Sequence, residues 1–136
     1  MTWIESRKTV CVDFDGVLNN YRGYKEGYVY PFREDGIEFL KKLKKIGFRV
    51  VILTSTRLAD VERLLHDDGL DEIVDEITNV KVPAIAYIDD RAITFRGNYD
   101  ETLKELLEFR TWWQDENSDE KHGFSQKNDQ NGENRT

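Results

Sequence analysis

The stretch Lys8-Thr9-Val10-Cys11-Val12-Asp13-Phe14-Asp15-Gly16-Val17-Leu18 decides how the rest of the chain is read. Its first six residues are rich in β-branched side chains and run into acid and glycine, the pattern of a short buried strand that ends at Asp13 and gives way to a loop. Downstream, Ile37, Leu40, Leu43 and Ile46 recur at helical spacing while Lys41, Lys42, Lys44 and Lys45 take the other positions, which predicts a helix from Glu34 to Ile46 with Gly47 as its stop. Residues 48–53 predict a second apolar strand, and Thr54-Ser55-Thr56 leads into a helix carrying Leu58, Val61, Leu64 and Leu65 that Gly69 closes. Residues 73–77 fit either a short strand or a helical turn. Residues 84–88 read as a buried strand delivering Asp89-Asp90, and Asn98 with Glu101 resembles a capping box for a last helix reaching Trp113. Strands alternating with helices imply an α/β protein with a parallel sheet and right-handed crossovers.

Composition narrows the class. With 136 residues, 38% hydrophobic and 35% charged, the chain is sized for one compact domain rather than a two-domain enzyme. No apolar run approaches the roughly 18 residues of a membrane helix, and residues 1–8 lack the apolar centre of a secretory signal, so a cytoplasmic location without membrane association is expected. The single cysteine, Cys11, excludes an internal disulfide, and with only His66 and His122 beside it there is no zinc-ligand set. A net charge of -7 argues against an extended duplex-binding surface. Residues 115–136 hold six acids, three bases and one large apolar residue, Phe124. Such a segment cannot offset its ordering entropy, so residues 114–136 are read as a disordered acidic tail and residues 1–113 as the domain.

In open parallel sheets, ligands bind where the carboxyl ends of strands converge. Here three clear strands end in polar groups: Asp13 with Asp15 two residues on, Thr54-Ser55-Thr56, and Asp89-Asp90, with Lys81 just before the third. Carboxylates gathered there would raise one another's pKa unless a cation compensates. An oxygen-only ligand set of this kind favours magnesium.

Asp13-Phe14-Asp15-Gly16-Val17-Leu18 behind a strand, then Thr54, Lys81 and Asp89-Asp90 in that order, resembles the four-motif set of the haloacid dehalogenase superfamily, in its phosphatase branch, over residues 10–97. The run Tyr87-Ile88-Asp89-Asp90-Arg91-Ala92 is similar to small bacterial and phage hydrolases of that superfamily, and Ile88-Asp89-Asp90-Arg91 to the phosphatase domain of phage polynucleotide kinase. The resemblance implies a Rossmann-like three-layer sandwich around the parallel sheet, with a flap at residues 19–33 in place of a cap domain. It implies a phosphomonoester hydrolase in which Asp13 is the nucleophile that forms an aspartyl-phosphate. Asp15 is then the general acid and base, its pKa raised by burial and neighbouring acids. Thr54 and Lys81 would stabilise the phosphoryl oxygens, and Gly16 would permit the tight turn of the motif loop. Magnesium would be held by Asp13, the backbone carbonyl of Asp15 and Asp89, with Asp90 in support.

Departures from the family pattern sharpen this. Superfamily dehalogenases lack an acid where Asp15 stands, which points to phosphoryl chemistry; Val17 replaces a frequent Thr. Lys81-Val82-Pro83 stands where relatives read Lys-Pro, and only eight positions separate Lys81 from Asp89, so no crossover helix fits between them.

The flap segment holds Tyr21, Tyr24, Tyr28 and Tyr30 among Arg22, Lys25 and Arg33. With Gly16 and Ser55, Tyr21 and Arg22 are candidate substrate contacts, since aromatic faces interleaved with bases suit a nucleotide or a polynucleotide 3'-phosphate. The competing reading is a hairpin packed by its own aromatics. For Thr54 the competing reading is a helix N-cap shared with Ser55 or Thr56. An acid pair at the end of a buried strand needs a positive neighbour, either Arg91 or a metal. Cys11 is read as a core residue, Trp3, Trp112 and Trp113 as covering the core edge, and His66 as lying on a helix surface. A receiver-like phosphoacceptor domain would combine the same residue types, but carries its acidic pair after the first strand and its phosphorylated acid after the third. A phosphate-binding or partner-binding relative without turnover is the remaining alternative.

Overall fold

The computed structural model describes residues 7–114; Trp3 and the acidic tail from Asp115 onward lie outside the described residues. The chain divides into two compact units, one ending at Asp89 and the other beginning at Asp90. In the first unit, strands β1 (Thr9–Asp13), β2 (Arg49–Leu53), β3 (Glu76–Thr78) and β4 (Ala86–Ile88) form an all-parallel sheet in the order β3-β2-β1-β4. Helices α1 (Glu34–Ile46) and α2 (Leu58–Asp67) connect the first three strands, and α3 (Tyr99–Leu107) belongs to the second unit. This α/β arrangement is consistent with a Rossmann-like sandwich. Among the described residues no helix is long and apolar enough to cross a membrane.

Helix α1 has the bounds its periodicity predicts, and local chemistry explains both ends. Glu34 and Asp35 occupy the first turn and Lys44 and Lys45 the last, each complementing the helix dipole. Gly47 adopts φ +116° and donates its N–H to the carbonyls of Leu43 and Lys44, a stop that a side chain would strain. At the other end, a Cβ on Gly36 would lie 3.0 Å from the Leu18 carbonyl oxygen. The first turn of α1 therefore packs directly on the loop that follows β1, and the Arg33 N–H bonds the same carbonyl.

The core lies on one face of the sheet. In-register pairing sets Val10 beside Val50 and Val12 beside Ile52, and Leu40 and Leu43 of α1 with Val61 and Leu65 of α2 pack into the same buried cluster. Each such side chain contributes about 1.5–3 kcal/mol on burial. Phe14 and Phe32 meet edge to face at 5.3 Å, closing this core beneath the flap. On the other face of β1, Thr9 and Cys11 are buried, and burial pushes the Cys11 thiol pKa up against a hydrogen bond from the Val82 backbone. The connection from β3 to β4 contains no helix, as its length requires. His66 is exposed on α2 beside Asp71.

One open alternative is resolved and two expectations are corrected. The segment at 73–77 resolves into a turn followed by β3: the Asp75 N–H bonds the Val50 carbonyl, and its carboxylate accepts from the Val50 N–H. Strand β4 is shorter than residues 84–88 and is not buried, with Tyr87 39% exposed, because it is a sheet edge paired only with β1. Helix α3 begins as expected, Asn98 accepting from the Glu101 N–H, but it ends at Leu107 and leaves Trp112 exposed. Thr111 bonds the Gln114 side chain through its N–H and its hydroxyl, and this local alternative together with two consecutive indoles does not favour another helical turn.

Candidate functional site

The strand order reverses direction once. From β1 the chain moves outward to β2 and β3, then returns to the opposite side of β1 for β4. The gap between the carboxyl ends of β1 and β4 is thus the topological switch point, where α/β sheets place their ligands. Asp13 is the last residue of β1, and Asp89 follows β4. Their carboxylate oxygens lie within 4.8 Å of each other, Asp13 partly buried and Asp89 exposed. With Asp90 next in the chain, this acidic cluster is compatible with metal binding: like charges so close repel, and an all-oxygen donor set fits a hard divalent cation. In the second unit, the Asp90 carboxylate accepts from the Trp113 indole N–H, and the Arg91 guanidinium sits 5.3 Å from the Trp113 ring centre.

Asp15 is held at both oxygens. The Asn19 amide donates to Oδ1 at 2.8 Å and the Thr56 hydroxyl donates to Oδ2 at 2.6 Å. Asn19 is fully buried and its oxygen accepts from the N–H groups of Gly16 and Tyr21, while its amide also reaches the Tyr30 carbonyl. One side chain thus ties the motif loop to both legs of the flap. Gly16 adopts φ +85°, the left-handed turn expected of it, and its N–H is engaged within the loop.

Thr54 is buried, its N–H bonded to the Thr78 carbonyl and its oxygen accepting from the Thr56 N–H. The helix cap lies at Arg57, with no side-chain cap hydrogen bond, so neither Thr54, Ser55 nor Thr56 serves as an N-cap. Lys81 lies in the connection before β4, its ammonium 4.5 Å from the centre of the ring of Tyr87 on that strand.

Residues 19–33 form a flap closed at its base by an antiparallel bridge between Asn19 and Phe32. Tyr30 sits edge-on to Tyr21 at 5.3 Å and to Tyr28 at 4.8 Å, and its hydroxyl donates to the Gly23 carbonyl. The flap does pack by its own aromatics. Between it and the start of α2 runs a cleft of about 640 Å³, lined by Asp15, Tyr21 and Ser55 among others. Arg22 is exposed on the flap. Across the cleft, the Asp60 carboxylate accepts from Arg57 and Arg63 at 3.3 Å each, and the hydrogen bond from Arg57 lowers the pKa of Asp60.

Asn19, Thr56 and Asp60 were not legible as site residues. Asn19 sits in an ordinary turn composition and Thr56 in a plausible cap, and only the approach of remote loops gives either one a partner in Asp15.

No protein-family model matches the chain, and no curated protein matches it in sequence. Among solved structures, a conserved protein from Bacteroides thetaiotaomicron is similar, with a TM-score of 0.52 and 19% identity over 78% of this chain and 94% of that one. The likeness is one of fold.

Proposed function

We propose that the protein is a magnesium-dependent phosphomonoester hydrolase of the haloacid dehalogenase type. The observation that carries this reading is the meeting of the Asp13 and Asp89 carboxylates at the switch point of the sheet, with Asp15 two residues on.

An Asp13 carboxylate oxygen attacks phosphorus, and the bond from phosphorus to the leaving oxygen breaks with its electron pair on that oxygen. Asp15 gives the leaving oxygen a proton. In the second half, Asp15 takes a proton from water as the water oxygen attacks the aspartyl-phosphate; the bond to Asp13 breaks and inorganic phosphate departs. The partners of Asp15 suit both roles. The Asn19 amide can only donate to Oδ1, whereas the Thr56 hydroxyl donates to Oδ2 when Asp15 is ionised and can accept from it when protonated, so the Thr56 contact is compatible with both protonation states. The Thr54 oxygen already accepts from the Thr56 N–H, and its O–H is left to donate to a phosphoryl oxygen. Lys81 adds positive charge on the β4 side. Asp13, the Asp15 carbonyl and Asp89 would hold magnesium, which when bound supplies the charge neutralisation that lets an anion approach an anionic phosphoryl group.

The test is phosphate release from a panel of phosphomonoesters. Release that requires magnesium and disappears in Asp13→Asn is expected. No release from any ester, or release indifferent to both Asp13→Asn and chelation, overturns the reading. A stable phosphoaspartate formed from a small phosphodonor without turnover would mark a receiver-like phosphoacceptor instead.

A further inference from the structure

We propose that Tyr87 is a positioning residue whose ring and hydroxyl together hold Lys81 on the face of the sheet that carries Asp13. The proposal rests on the hydrolase reading for what Lys81 does, and on geometry for where it is held. A lysine ammonium rides on a flexible four-carbon stem, so it serves a phosphoryl oxygen well only where something fixes it. Regular backbone does not do so here, since residues 79–85 form neither helix nor strand. Apolar burial does not do so either, since Val80 and Ile85 are both exposed. The two ends of the connection are tied: the Val80 N–H donates to the Thr78 hydroxyl oxygen at 3.0 Å, and the Ile85 N–H to the Thr9 carbonyl at 2.8 Å. Tyr87 holds the middle. Its phenol donates to the Val82 carbonyl at 2.6 Å, and the Lys81 ammonium lies 4.5 Å from its ring centre. One side chain thus grips two consecutive residues, by a hydrogen bond to one and a ring face for the cation of the other.

Strand register decides the face. Tyr87 of β4 pairs with Cys11 of β1, and side chains alternate across a strand, so Cys11 and Asp13 share one face and Tyr87 stands beside Cys11, in the row beneath Asp13. The Val82 backbone also hydrogen-bonds Cys11, and the Lys81 charge bears on that thiol. Residues 81 and 82 therefore lie against the pair formed by Cys11 and Tyr87, below the carboxylate that attacks phosphorus in the proposed reaction. The choice of an aromatic partner has a chemical consequence. A carboxylate would fix the ammonium as well but would cancel its charge, whereas a ring face holds the cation and leaves that charge to act on a phosphoryl oxygen.

The test compares turnover of p-nitrophenyl phosphate in the presence of magnesium with the proton spectrum of Lys81. Tyr87→Val keeps a side chain suited to a strand and removes both contacts, and its kcat/KM should fall about tenfold. Tyr87→Phe keeps the ring and should recover most of the loss. In a Lys81→Met background the Tyr87→Val change should alter turnover by less than about twofold, because two residues that act through one contact are not additive. A nuclear magnetic resonance readout needs no turnover: the ring current should move the Lys81 ε-methylene protons upfield of those of the other lysines in the unaltered protein and in Tyr87→Phe, but not in Tyr87→Val. Displaced resonances with no hydrolysis of any ester support the placement of Lys81 and overturn the hydrolase reading. Losses that multiply in the double variant, unaltered turnover in Lys81→Met, or Lys81 resonances at the ordinary lysine position each overturn the proposal, and hydrolysis by the unaltered protein then leaves the hydrolase reading standing.

Discussion

The Thr56 hydroxyl donates to Asp15 Oδ2 at 2.6 Å, joining the loop after β2 to the loop after β1. It is the only one of the two contacts to this carboxylate that can reverse direction, since the other comes from an amide nitrogen. Thr56 is therefore a positioning residue for the proton that Asp15 is proposed to move.

From this follows the behaviour of Thr56→Val, which keeps the shape and loses the hydroxyl. We expect kcat to fall about tenfold with KM nearly unchanged, because orientation of the acid matters in the transition state more than in the bound state. Thr56→Ser should recover most of the loss. Steady-state kinetics on p-nitrophenyl phosphate decide it; equal rates for Val and Thr would remove Thr56 from the mechanism.

Asn19 makes four hydrogen bonds from a fully buried position, to Asp15, Gly16, Tyr21 and Tyr30. Asn19→Ala strands several of these partners, so a loss of about 2–4 kcal/mol is expected, above the typical single-bond penalty. Urea unfolding measures this. A change below the error of the extrapolation would mean that water replaces the side chain.

Gly36→Ala sets two effects against each other. Alanine favours a helix interior by about 0.5–1 kcal/mol, but its Cβ would meet the Leu18 carbonyl oxygen at 3.0 Å, and crowding of this kind costs about 1–3 kcal/mol. Net destabilisation is expected, visible as a lower thermal midpoint. A stabilised variant would show that α1 shifts outward at no cost.

Acid stability should depend on Asp75. Burial raises its pKa, but hydrogen bonds from the Lys44 ammonium and the Val50 N–H outweigh burial and leave it lowered. A carboxylate with a lowered folded pKa adds stability that is full above its unfolded pKa, about 3.9, and is lost as pH falls through the folded value. Asp75→Asn should thus be less stable than the parent at pH 7, by under about 1 kcal/mol for so exposed a pair. The gap should close below about pH 4. Denaturation curves at several pH values test the sign.

Magnesium should raise the thermal midpoint of the protein, because a cation that binds only the folded state stabilises it by mass action. Asp89→Asn relieves the repulsion with Asp13 and removes a ligand, so its midpoint without magnesium should be higher than the parent's and its response to magnesium smaller. The same magnesium response in both proteins would take Asp89 out of the site.

Local signals carried a good part of the fold. The 3.6-residue recurrence and Gly47 placed α1 residue for residue, and the β-branched run from Lys8 to Asp13 placed β1 to within one residue, because both depend on side chains close in sequence. The meeting of Asp13 with Asp89 was expected from strand ends, since a parallel sheet brings those ends to one edge whatever the intervening chain does. The exposure of β4 and the early end of α3 were not legible, because they turn on which strand lies at the edge and on how Thr111 and Gln114 bond locally.

Residue order was enough to establish which acids stand at strand ends. Only the folded chain decided that Asn19 and Thr56 would clasp Asp15, and that Arg57 and Arg63 would face the flap tyrosines over a cleft. Hydrogen bonds and facing walls of that kind join loops from distant parts of the chain, and depend on distances of an ångström or less that the period of a strand or helix does not encode.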